Sequence, residues 1–112
     1  MTSPGDIVIA VDFLAVAALF GLGLYCIMSK SNLVKMIIGI ELMGKAATLS
    51  FVLGGFLNMN TGLSQGVVFT IIAIEAVVAA LALALIIIGK GAFGTLDVET
   101  INAESSEEAI IE

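Results

Sequence analysis

Three long apolar runs, broken by short polar stretches, constrain this chain more than anything else in its sequence. They cover residues 7–28, 33–57 and 67–89. Each exceeds the ~20 residues an α-helix needs to cross a hydrocarbon core. Backbone N–H and C=O groups find no water in lipid, so a lone segment crosses only as a helix that bonds them internally. The separators, Ser29-Lys30-Ser31-Asn32 and Asn58-Met59-Asn60-Thr61-Gly62-Leu63-Ser64-Gln65-Gly66, are short enough to make neighbouring helices antiparallel. The predicted fold is an all-α membrane protein with three transmembrane helices, up-down-up, in residues 1–94. Residues 95–112 hold Asp97, Glu99, Glu104, Glu107, Glu108 and Glu112 and no base, and are predicted to be an extended or disordered acidic tail.

Composition removes most other classes. Hydrophobic residues make up 60% of the chain and charged residues 12%, against ~45–50% and ~25% in a soluble domain. There are four lysines, no arginine and no histidine, so no basic patch exists to neutralise phosphates, and nucleic acid is excluded as a partner. A single cysteine, Cys26, and the lack of histidine leave no set of side chains for a zinc, haem or iron–sulfur site or for a catalytic triad. No glycine-rich nucleotide loop is visible. The chain is therefore expected to hold no metal, no cofactor and no catalytic residue of its own.

The residues before the first run, Met-Thr-Ser-Pro-Gly-Asp, contain no base, so that run reads as a retained span and not as a cleaved signal. Pro4-Gly5 breaks any earlier helix, and Asp6 suits a helix N-terminus. Lys30 and Lys35 flank the first loop and Lys90 follows the third run, whereas the second loop has no charge. The positive-inside rule then places the first loop and the tail in the cytoplasm and the N-terminus outside, in the cell membrane. In the third run Ala76, Ala80 and Ala84 recur every four residues, a stripe expected to pack against another helix.

Four ionisable residues lie inside the spans: Asp12, Glu41, Lys45 and Glu75. An Asp or Lys at the centre of a membrane helix costs roughly 2.5–3.5 kcal/mol on insertion scales, so such residues default to a functional reading. Glu41, Gly44, Lys45 and Thr48 share one face of the second helix by their i, i+3, i+4 and i+7 spacing. Lys45 is expected to stabilise Glu41 as an i,i+4 ion pair. Glu75 has no lysine near it on its own helix, so its partner is expected on another helix or chain. Relative to the two helix centres, the glutamates differ in depth by roughly 10 Å, a gap for a few waters or one side chain such as Lys45. Asp12, near the outer end, reads as an interface residue.

These residues resemble a known family. Lys30-Ser31-Asn32-Leu33-Val34-Lys35-Met36-Ile37-Ile38-Gly39-Ile40-Glu41-Leu42-Met43, continued by Ala46-Ala47-Thr48-Leu49-Ser50-Phe51-Val52, is similar to the second helix of the K subunit of complex I. Ile74-Glu75-Ala76 resembles that family's third-helix glutamate segment, and Thr95-Leu96-Asp97-Val98 its cytoplasmic end. Ser64-Gln65-Gly66-Val67-Val68-Phe69-Thr70 is similar to the C subunit of Mrp-type cation/proton antiporters. That relative lacks the two glutamates, and membrane-bound hydrogenases have a matching subunit. The chain departs from the K-subunit pattern at Lys45, where asparagine is usual, and in its longer acidic tail.

The resemblance implies a non-catalytic membrane-arm subunit of an ion-translocating redox complex, without quinone, flavin or cluster of its own. Glu41, Lys45 and Glu75 would relay protons, Asp12 and Thr48 would be accessory, and the partners would be other membrane subunits and the bilayer. No small-molecule substrate beyond H⁺ or Na⁺ is expected. Alternative readings are an Mrp-type antiporter C subunit and, less well matched, a self-contained small drug/proton transporter.

Overall fold

A computed structural model describes residues 2–29 and 31–111; Lys30, one of the lysines behind the expected orientation, lies outside the described residues. Four helices follow one another: α1 Pro4–Ser29, α2 Leu33–Leu57, α3 Thr61–Phe93 and α4 Val98–Ile111. The first three are long and apolar enough to span a membrane, so the chain is an all-α membrane protein. They form a flat layer in which α2 is central, with α1 packed on one side and α3 on the other.

Local chemistry sets the ends. Ser3 and Asp6 cap α1 reciprocally: the Asp6 N–H donates to Ser3 Oγ (3.2 Å) and the Ser3 N–H to Asp6 Oδ2 (3.0 Å). This satisfies two orphan donors, and Pro4 sits in the first helical position, where its missing N–H costs nothing. The helix therefore starts at Pro4, three residues before the apolar run. Asn32 caps α2, its Oδ1 accepting from the N–H groups of Val34 (2.9 Å) and Lys35 (3.4 Å). Helix α2 occupies the expected residues.

Helix α3 is longer than expected at both ends, and its 33 residues extend about 50 Å at the α-helical rise. The expected outer loop shrinks to a turn at Asn58, Met59 and Asn60. Met59 makes it possible by adopting left-handed φ (55°). Asn58 and Asn60 then donate their backbone N–H groups to the open carbonyls of Gly54 and Gly55 (both 3.0 Å). Ser64 Oγ donates to the Phe51 carbonyl (2.7 Å), across a contact where Gly55 has no Cβ to intrude. At the other end Gly94, at φ 69°, caps α3, a conformation glycine adopts without a Cβ penalty.

The tail is also not the extended arm expected from its charge. Residues 95–97 run antiparallel to the α1–α2 connection, with the Leu33 N–H donating to Leu96 O (2.9 Å) and the Val98 N–H to Ser31 O (2.8 Å). Asp97 Oδ1 accepts from the Glu99 N–H (3.0 Å) and starts α4. A capped helix start and a strand-like strap outweigh the repulsion among the acids.

The layer is held by close backbone approach. On α2, Gly39, Ala46 and Leu53 are buried at a spacing of seven, the seam repeat of left-handed helix pairs. A Cβ on Gly39 would lie 2.6 Å from the Gly23 carbonyl oxygen, and one on Gly23 would lie 2.7 Å from that of Gly39. On α3 the face toward α2 is Ser64, Val68, Ile71, Glu75, Ala82 and Ile86. The expected alanine stripe of Ala76, Ala80 and Ala84 instead points out of the layer: it is exposed and lies off the side of α3 that meets α2.

Gly39→Leu should cost about 1–3 kcal/mol in reversible unfolding in mixed micelles, the usual penalty of overpacking. Gly21→Ala, where a Cβ meets nothing within 4 Å, should change stability little. Equal effects of the two would overturn this packing.

Candidate functional site

Between α2 and α3, near the middle of the layer, three side chains meet. Lys45 Nζ donates to Glu75 Oε2 in a salt bridge between the helices. Thr48 Oγ1 donates to the Gly44 carbonyl (3.0 Å) and lies 3.4 Å from Glu75 Oε1. The carboxyl group rests over Gly44, where an ideal Cβ would be 2.5 Å from Oε1. A Cβ at position 44 would push the carboxyl end of Glu75 aside, so glycine lets that group lie directly on the α2 backbone. Glu75 is only 12% exposed at its side chain, whereas Lys45 is 52% exposed.

The pairing corrects one expectation. The i,i+4 spacing assigns Lys45 to Glu41 within α2; Lys45 pairs with Glu75 across the layer instead. The antiparallel register brings Glu75 level with the turn that carries Gly44, Lys45 and Thr48. The sequence already offers Lys45 as a side chain long enough to bridge the two glutamates, but a helix-local rule favours its neighbour at i−4. Gly44 shares the expected face, yet its function as the floor of the slot depends on contact with α3.

Glu41 lies one turn closer to the strapped end of α2. It is half-buried beside an apolar groove of Ile37, Ile40, Val78, Leu81 and Leu85. Among the described residues no ion pair or hydrogen bond reaches its carboxylate. Asp12 is half-buried on the face of α1 that carries Val16, Leu19 and Gly23 toward α2. It is not brought to the Lys45–Glu75 pair and makes no side-chain hydrogen bond among the described residues. No three His, Cys, Asp or Glu side chains converge among the described residues.

The arrangement is a cation shared between helices, with one anion fixed against it and a second one turn away without a partner among the described residues. Ionisable groups placed in this way inside a membrane exchange protons and rearrange hydrogen bonds.

Comparison with known proteins adds the family. Residues 12–105 match the family model of NADH-ubiquinone/plastoquinone oxidoreductase chain 4L. NADH-quinone oxidoreductase subunit K 2 of Syntrophobacter fumaroxidans is 30% identical over 97 residues, covering 87% of this chain and 84% of the relative. Subunit K of Chlorobaculum tepidum is 36% identical over 86 residues, 75% and 78% of the two chains. NAD(P)H-quinone oxidoreductase subunit 4L of a Synechococcus strain is 36% identical over 94 residues, 80% and 90% of the two chains. No solved structure matches the chain at a significant level. The family match spans most of α1, all of α2 and α3, both intramembrane glutamates and the start of α4, and the chain belongs to the chain 4L, or K-subunit, family: it is a small membrane subunit of a complex I-type oxidoreductase.

Proposed function

We propose that this subunit relays protons through the membrane part of its complex by way of Glu41, Lys45 and Glu75, with Thr48 and Asp12 as accessory groups. The observation that carries the reading is the Glu75 carboxylate, held deep between α2 and α3 by an ammonium and a hydroxyl. Burying a charge in hydrocarbon costs several times what packing a methyl there returns, which favours a functional position over simple packing. Glu41, one turn away and half-buried, is a second station at a distance that short water chains span. The subunit holds no redox cofactor in this reading; electrons travel elsewhere in the complex, and neighbouring antiporter-like and small membrane subunits complete the path. The family match to chain 4L favours this role over the C subunit of an Mrp-type antiporter.

The same reading puts the N-terminus and the Asn58–Asn60 turn outside the cell membrane, and the strap, Lys35, Lys90 and α4 in the cytoplasm. Cysteine replacements at Met59, 91% exposed, and at Ser105 test it. Impermeant maleimide added outside should label Met59→Cys and spare Ser105→Cys; the reverse pattern would overturn the orientation.

Glutamine keeps the size of glutamate and most of its hydrogen bonding but takes up no proton. Glu41→Gln and Glu75→Gln should each leave the complex assembled and lower proton uptake into vesicles. Their combination should be less than additive because the stations act in series. Wild-type pumping by the double variant would end the relay reading.

A further inference from the structure

We infer that Lys45 is an exchangeable counter-ion: it pairs with Glu75 when Glu41 holds a proton, and turns to Glu41 when the proton moves to Glu75. This rests on the relay reading and specifies how its two stations communicate.

The two carboxylates differ in how firmly they are held. Glu75 is fixed on three sides, by Lys45, by Thr48 Oγ1 and by the bare backbone of Gly44. Lys45 is fixed only at its tip, and half of its side chain is exposed. Glu41 lies four residues before Lys45 on the same helix, and Glu at i with Lys at i+4 is the favourable order for an ion pair. The two Cα atoms are about 6 Å apart along the axis, within reach of a lysine side chain. Glu41 is without a partner among the described residues because Lys45 is engaged across the layer. The other titratable groups near these elements do not compete. Among the described residues, Asp12, Tyr25 and Cys26 of α1 and Lys35 of α2 make no hydrogen bond or ion pair with either carboxylate, and Lys90 donates to Gly94 O.

Charge bookkeeping then fixes the coupling. Two carboxylates and one ammonium carry one excess negative charge, which a single proton removes. With that proton on Glu41, Glu75 and Lys45 form the pair seen here, and each end of the site is neutral. Transfer of the proton from the Glu41 carboxyl group, through an intervening water, to the Glu75 carboxylate leaves Glu41 ionised and Glu75 neutral. Lys45 stays protonated throughout and moves the opposite way, so each end is neutral again. A fixed lysine, or none, would leave a bare carboxylate in low dielectric on one side of the step, which is the costly arrangement.

Two measurements on the assembled complex test the exchange. The first is its structure by electron cryomicroscopy with Glu75→Gln and, separately, with Glu41→Gln. In the first variant the Lys45 ammonium should lie within hydrogen-bond distance of Glu41; in the second it should remain at position 75. Lys45 staying away from Glu41 in the Glu75→Gln complex overturns the inference. The second measurement covers failure of that variant to assemble. Lys45→Met should slow proton pumping by about tenfold or more, about 1.4 kcal/mol of barrier, whereas Lys45→Arg, which keeps the charge, should recover most of the rate. Wild-type pumping by Lys45→Met overturns it equally. The two readings separate cleanly. If the glutamine variants stop pumping while Lys45 never relocates, the relay stands and the exchange falls. If the double glutamine variant pumps normally, the relay falls, and the exchange that rests on it falls with it.

Discussion

A carboxylate set among apolar helices has to be neutralised, and at Glu75 that requirement ties α3 to α2. The ammonium that does so comes from α2, and the space for the carboxyl group comes from the missing side chain of Gly44. A slip of α3 by one residue would rotate Glu75 off the seam and strand both charges. Elsewhere the seam is made of small and aliphatic residues and a serine hydroxyl, which allow close approach but discriminate weakly between registers. The ion pair is therefore the specific element of this interface, and the α2–α3 turn, closed by Asn58 and Asn60 on Gly54 and Gly55, fixes the same register from its end.

The α1–α2 interface works differently. There, backbone meets backbone at Gly23 and Gly39, and the seven-residue recurrence of Gly39, Ala46 and Leu53 sets the crossing. No ion pair joins these two helices among the described residues, so shape selects the pairing. Together the two seams make α2 the reference element: it carries Glu41, Gly44, Lys45 and Thr48, while α1 orients it and α3 brings the second glutamate. This arrangement agrees with the family to which the chain belongs, where a small membrane subunit is one part of a larger oxidoreductase.

Much of this is legible in the sequence because lipid simplifies the problem. The apolar runs and the backbone's need for internal bonding identify three spanning helices, and α2 is bounded by an asparagine cap that needs no tertiary information. The intramembrane charges stand out for the same reason. What the sequence hides depends on partners distant along the chain. The α2–α3 turn is short because Met59 accepts a left-handed conformation and asparagine N–H groups satisfy the free carbonyls, so polar residues that look like a loop belong to α3. The tail folds because residues 95–97 meet the α1–α2 connection. For Lys45, the i,i+4 spacing to Glu41 is visible in one dimension and the register of α2 on α3 is not. The alanine stripe of α3 is a smooth face, but it is turned away from α2.

Helix α2 lies between α1 and α3, and the overall extents, 68 × 28 × 19 Å, describe a plank. A plank has no inside. Helices α2 and α3 furnish only part of the wall beside Lys45, whose side chain stands half in the open. In hydrocarbon an ammonium does not face lipid tails, so the missing wall is water or another polypeptide. The ion pair of this subunit thus lies at its edge, and whatever insulates Lys45 there governs how deep in low dielectric the pair lies.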